Sequence, residues 1–220
     1  LTGRYPSSHG AYTIGVTPNP FPGPTLPAVL SKGGYRTALF GKTHFVRRAD
    51  EARHMNGGKE PTPDFFKTWN GPYLGFDEIE GSTGHTTNNV PAMHYRVFLE
   101  KAGVDYQTWF PQMQGTYDHQ ACGSWDIPTN YHDTHWVAER TKAFIRRQNP
   151  DQPWFCWTSF QDPHEPHLCP EPWFSQVNTE AMDLYQGYRS GEFDDRPEVY
   201  RMCLEKDFAH LNDAVGAPRS

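Results

Sequence analysis

The chain has 220 residues, 36% hydrophobic and 15% aromatic, which is enough apolar material for one substantial core and excludes disorder as the default. Its formal net charge is -6, and its Lys and Arg are scattered, so it lacks the basic excess that a phosphate backbone demands of a partner. No apolar run approaches the ~20 residues of a bilayer span; neither nucleic acid nor a membrane is expected as a partner, and nothing in the sequence speaks to oligomeric state.

The chain opens on Leu1-Thr2-Gly3-Arg4-Tyr5-Pro6, without an initiator Met or a charged-then-apolar leader, and stops at Ser220 directly after a helical pattern. It reads as a piece of a longer protein. The first predicted element is a helix capped by Thr25, with Pro27 tolerated in its first turn and Gly33-Gly34 ending it. The strand Arg36 to Phe40 follows. Residues 46 to about 130 are rich in Gly, Pro, Asn, Thr and His with weak periodicity, and predict a loop-rich insertion beside the active face with one short strand within Leu74 to Gly81.

A second helix-to-strand unit begins at Asp133, read as a cap, and places Trp136, Val137, Arg140, Phe144 and Ile145 on one helical face. Asn149-Pro150 breaks that helix, and Trp154 to Phe160 forms an apolar strand. A last helix, Pro197 to Val215, carries Val199, Cys203, Leu204, Phe208, Leu211 and Val215 on one side. Helices feeding apolar strands predict an α/β layered fold with a largely parallel sheet. Cys122, Cys156, Cys169 and Cys203 are dispersed with no CxxC pair; the expected reading is four buried thiols, with one or two disulfides left open.

Both predicted strands end in ionisable clusters. In open α/β sheets, ligands bind outside the carboxyl ends of the strands. One such end reads Gly41-Lys42-Thr43-His44, where Lys42 and His44 stand at i and i+2 and face the same way in extended backbone. The other reads Gln161-Asp162-Pro163-His164-Glu165-Pro166-His167, whose prolines stiffen the loop around His164. A fixed cation beside two proton carriers suits a tetrahedral oxyanion. His164 and His167 have a spacing that could hold a metal, but no helix aligns their rings, so His167 is assigned to the surface or behind the site and no metal ligand is named. His132 and His135 are expected to cap or pack, and His85, His94 and His119 are left without a role.

The segments Leu1 to Gly10, Thr25 to Phe45 and Phe155 to His167 resemble the type I, formylglycine-dependent sulfatases of the alkaline-phosphatase-like superfamily. In that family a Cys/Ser-x-Pro-Ser-Arg signature is followed closely by Leu-Thr-Gly-Arg-Tyr-Pro, and a second signature runs Gly-Tyr-x-Thr through Gly-Lys-x-His. Here Gly34 to His44 fits the second signature, departing at Phe40 and Thr43, which bear on packing and substrate fit. The resemblance is close over the first forty-five residues and good from about Asp133 to Pro172; residues 46 to 130 resemble nothing assignable.

The resemblance implies a three-layer αβα fold, incomplete here, with residues 1 to 220 forming part of a single catalytic domain. It implies that Lys42 binds sulfate oxygens, that His44 contacts the formylglycine nucleophile and its leaving oxygen, and that His164 serves the sulfate and the leaving group. It further implies a divalent cation, usually calcium, whose ligands are not in this chain, and an extracytoplasmic location. None of the four cysteines stands in a Cys-x-Pro-x-Arg context, so none is a candidate formylglycine, and the isolated chain is expected to be inactive. The expected parent hydrolyses a sulfate ester or sulfamate, with a carbohydrate as the expected carrier. The alternatives are a phosphonate or phosphate ester hydrolase of the same superfamily, and a non-catalytic glycan binder using Trp69 to Phe76 and Tyr106 to Gln112 as stacking platforms.

Overall fold

The computed structural model describes residues 1–12, 23–47, 50–83, 92–105, 109–110, 122–164, 167–183, 191 and 194–200. The chain divides into two units, Leu1–Val177 and Asn178–Ser220. In the second, the described structure is a short 3₁₀ turn, Thr179–Ala181, and the helical residues 198–200, the start of the expected final helix, whose remainder lies outside the described residues. Everything below concerns the first unit.

Its frame is a parallel sheet of three strands. β1 (Arg36–Lys42) lies between β2 (Glu78–Ser82) and β4 (Trp154–Ser159), and both pairings are parallel. β3 (Cys122–Trp125) and β5 (His167–Pro170) form a separate parallel pair. The helices are α1 (Pro6–His9), α2 (Leu26–Lys32), α3 (Glu51–Met55), α4 (Phe65–Thr68), α5 (Met93–Lys101) and α6 (Asp133–Arg146).

The middle of β1, Ala38 to Phe40, is apolar without a break because both of its faces are covered. Side chains alternate across a strand, so Ala38 and Phe40 join Trp136, Val137 and Phe144 of α6 in one core, while Leu39 joins Ile79, Phe76 and Met55 in the other. All of Ala38, Leu39 and Phe40 are fully buried. A run buried on both faces is what a central strand of a layered α/β sheet requires. β4, one of the two outer strands of the described sheet, is half-buried along most of its length.

The amino ends of the strands are pinned. The Thr37 hydroxyl and the Asp77 carboxylate exchange bonds with each other's amides at 2.9 Å, and Glu78 is flanked by Arg36 at 3.2 Å and by Arg147. This leaves the carboxyl ends for chemistry.

Thr25 caps α2 as expected, accepting the Ala28 amide at 3.3 Å. The cap of α6 is not Asp133. His132 is the extended residue before the helix, and its Nδ1 accepts the Thr134 amide at 3.2 Å, so Asp133 becomes the first helical residue and is 1% exposed. Ile145 leaves the expected face and stands 44% exposed, because it lies about 100° round the helix from the buried Phe144.

The region read as loop-rich holds more order than its composition suggests. The short strand expected there is β2, but α3, α4, α5 and β3 also lie in it. α5 escapes a periodicity reading for a physical reason. Its buried Tyr95, Val97 and Leu99 recur every second residue, a strand-like pattern, and Ala92 at its start offers no capping side chain. Cys156 and Cys169 are free thiols, half-buried rather than buried; the side chain of Cys122 and all of Cys203 lie outside the described residues.

Candidate active site at the carboxyl edge of the sheet

Gly41 stands opposite Ser159 in the β1–β4 register, so the segment carrying Lys42 and His44 and the segment carrying His164 leave adjacent parallel strands at the same sheet edge. Lys42 is half-buried at the end of β1, His44 is exposed, and His164 is half-buried. Their ends are tied together by buried polar contacts. The Thr43 amide donates to the Ser82 carbonyl at 2.9 Å, and the buried Gln161 amide reaches the Ser82 hydroxyl at 3.3 Å, linking the ends of β2 and β4 across β1. The His164 amide closes a tight turn onto the Gln161 carbonyl at 3.0 Å.

The turn presenting His44 is held from beneath by Glu51. This carboxylate is fully buried; it accepts the Tyr73 hydroxyl at 3.0 Å and the Val46 amide at 3.4 Å, and the Phe45 amide also bears on it. Burial pushes Glu51 up to about 7, against those hydrogen bonds. Tyr73 is driven far above the ordinary phenol range by burial first and by the Glu51 charge second. Phe45 completes the support, its ring 5.6 Å edge-on from Trp157 and 6.5 Å from Tyr73.

On the β4 side the key group is Asp162. The Thr134 hydroxyl donates to it at 2.8 Å, and His132 Nε2 lies 3.8 Å from it. Asp133, beside them, is pushed up to about 7 by burial and by Asp162, and Lys42 opposes that shift. Lys42 therefore lies within electrostatic reach of this acidic cluster. Burial lowers His132, against the pull of Asp162. Next to the cluster opens a cavity of about 580 Å³, walled by Leu168, Pro170, Trp173 and Phe174 and edged by His132 and Asp162.

Lys42, His44 and His164 were each legible as strand-end groups. Glu51, Asp133, Asp162 and Gln161 were not. Asp162 sits two residues before His164 and was available by position; Glu51 gave no local signal, because only the fold brings it under the turn at 43–46. Of the remaining histidines, His94 is buried between the Gly81 amide at 3.0 Å and the Trp69 carbonyl at 2.7 Å, a packing role. His167 is exposed, as expected, at the start of β5.

Three of the rings named as stacking platforms lie in the interior. Tyr73 and Phe76 are 5% and 0% exposed, Trp69 stacks on Phe65 at 5.0 Å, and Phe110 is 1% exposed. Tyr73, Phe76 and Phe110 have no open face for a sugar, whereas Trp69 and Trp109 are half-buried and Trp69 lines a cavity; Tyr106 to Thr108 and Pro111 to Gln112 lie outside the described residues.

A profile of the sulfatase family matches residues 1–207. The chain belongs to the sulfatase family. It is 27% identical over 202 residues to a protein named arylsulfatase from Clostridium perfringens (strain 13 / Type A), covering 83% of this chain and 35% of that relative. In structure it is similar to the phosphonate monoester hydrolase of Agrobacterium radiobacter, with a TM-score of 0.53, 20% identity, and coverage of 83% of this chain and 34% of the other. At that identity the likeness speaks for the fold, which is of the alkaline-phosphatase-like hydrolase type. The chain thus spans about a third of the length of these relatives.

Sulfatases generally use a divalent metal. Among the described residues, the donor group with metal-ligand geometry is His132, Asp133 and Asp162. Calcium takes about six to eight oxygen ligands, and a set of two carboxylates and an imidazole does not fit it.

Proposed function

We propose that the longer protein to which this sulfatase-family chain belongs hydrolyses a sulfate ester or sulfamate, and that Lys42, His44 and His164 handle the sulfate group. The observation that carries this reading is the β1–β4 register, because Gly41 opposite Ser159 sends all three residues off one sheet edge. In the reaction, negative charge spreads over the equatorial oxygens and the departing oxygen. Lys42 meets the first and His164 protonates the second, with His44 beside the nucleophile. The cavity walled by Trp173 and Phe174 receives the organic part, which we take to be a carbohydrate stacked on those rings.

Residues 1–220 contain no Cys/Ser-x-Pro-Ser-Arg segment, so we assign turnover to the longer protein and anion binding alone to this chain. We also assign the protein to an extracytoplasmic compartment, on family resemblance. Among the described residues no helix is long and apolar enough to cross a membrane.

The test is to assay the full-length protein on matched sulfate, phosphonate and phosphate esters of one alcohol, including a sugar alcohol. The reading expects the sulfate ester to give the highest kcat/KM. A higher kcat/KM on the phosphonate ester would transfer the protein to that chemistry, and no turnover of any ester would favour a binding protein.

A further inference from the structure

The group formed by His132, Asp133 and Asp162 has a feature that the sulfate reading does not use. Asp133 is 1% exposed, and among the described residues neither of its carboxylate oxygens has a hydrogen-bond partner of ordinary geometry. His132 is 4% exposed, and its Nε2 is also without one. Buried polar atoms are nearly always satisfied, and an orphaned pair of carboxylate oxygens calls for a positive charge. Lys42 lies within electrostatic reach, and the Thr134 and Asp133 amides bear on the carboxylate, yet among the described residues none completes a hydrogen bond of ordinary geometry to it.

The geometry suits an ion. His132 Nδ1 lies 3.2 Å from Asp133 Oδ1, and His132 Nε2 lies 3.8 Å from Asp162 Oδ2. One ligand atom from each of the three residues falls within 4.8 Å of the others. The ring of Trp125 packs edge-on against the His132 ring at 5.3 Å and fixes its plane.

We propose that His132, Asp133 and Asp162 form a binding site for one divalent transition-metal ion of the zinc or manganese type. Two carboxylates and a neutral imidazole carry two negative charges, which such an ion neutralises. Three protein ligands with a fourth position left to water is the arrangement zinc takes in open sites, and a mixed imidazole and carboxylate set selects against calcium. Ligation uses the His132 Nε2 lone pair, so the ring proton sits on Nδ1. The bond displaced is the one from the Thr134 amide to Nδ1. The ion ties the start of α6 to Asp162, two residues before His164. The site rests on this geometry alone and stands or falls independently of the sulfate reading.

The test is a calorimetric titration of the metal-free 220-residue chain with Zn²⁺, Mn²⁺ and Ca²⁺ in turn, with Co²⁺ absorption reporting coordination geometry. One Zn²⁺ per chain is expected, with Ca²⁺ at least about a hundredfold weaker. Asp162→Asn, at a side chain 36% exposed where the fold tolerates change, is expected to weaken Zn²⁺ at least about a hundredfold. His132→Gln should do the same. His167→Ala combined with Cys169→Ser, altering two other donors beside the neighbouring cavity, should leave the affinity unchanged. Absence of stoichiometric binding, insensitivity to Asp162→Asn, or loss of binding only in the His167 and Cys169 double variant would each overturn the proposal.

Discussion

Gly41 faces Ser159 so closely that a Cβ on Gly41 would lie 2.0 Å from the Ser159 carbonyl oxygen, and its φ of +103° is one that side-chain-bearing residues rarely adopt. This glycine lets β1 and β4 approach at the point where the chain turns out to deliver Lys42. Gly41→Ala is expected to destabilise the fold by about 3 kcal/mol or more, from clash and strain together. Its register partner on β2 provides the control. A Cβ on Gly81 meets its nearest neighbours at 3.5 Å, ordinary contact, so Gly81→Ala is expected to cost less than about 1 kcal/mol. Urea unfolding of both variants checks the contrast, and equal costs would refute it.

Glu51 makes stability depend on pH in a defined direction. Its folded value of about 7 lies above its ordinary 4.5, so the folded chain holds this proton more tightly than the unfolded chain. The stabilisation is therefore fully present at low pH and is lost as pH rises from about 4.5 to about 7, by roughly 2–4 kcal/mol. Glu51→Gln, which keeps the shape and cannot ionise, is expected to flatten that slope. The measurement is the unfolding free energy of both chains at pH 5 and pH 8. Parallel pH profiles would show that Glu51 does not titrate in this window.

In the full-length protein Lys42 and His164 are expected to separate by leaving group. Lys42→Ala removes a charge that meets the sulfate in both ground and transition states, so it should raise KM and lower kcat. His164→Ala should act mainly on kcat, and most with poor leaving groups, because a general acid helps in proportion to the basicity of the departing oxygen. Activated aryl sulfates should lose least and sugar sulfates most. A constant loss across leaving groups would leave His164 as an anion binder and pass the acid role elsewhere.

The sheet edge was legible because its signals are local. Thr25, Pro27 and Gly33-Gly34 punctuate one helix, Ala38 to Phe40 make the centre of β1 apolar, and Lys42, His44 and His164 stand out as ionisable groups at or after strand ends. What escaped depends on contacts distant in sequence. α5 hides behind an alternation of Tyr95, Val97 and Leu99, of which Tyr95 and Leu99, four residues apart on one helical face, enter the same core. His132, expected to cap or pack, does cap α6, and what escaped there is Asp133, whose carboxylate turns inward. Glu51 meets the turn at 43–46 only once α3 has folded beneath it. Aromatic density near Trp69 suggested open platforms, yet Tyr73 and Phe76 pay for the core beneath β1 and β2.

The central claim is that one tetrahedral anion is held at this sheet edge by Lys42, His44 and His164. A crystal structure of the chain with selenate, a tetrahedral oxyanion with an anomalous signal, tests it directly. The account expects a single anomalous peak beyond the ends of β1 and β4, with Lys42 Nζ and ring nitrogens of His44 and His164 at about 2.7–3.2 Å from its oxygens. Selenate bound away from these residues, or Lys42 and His164 found on opposite faces of the sheet, would contradict it.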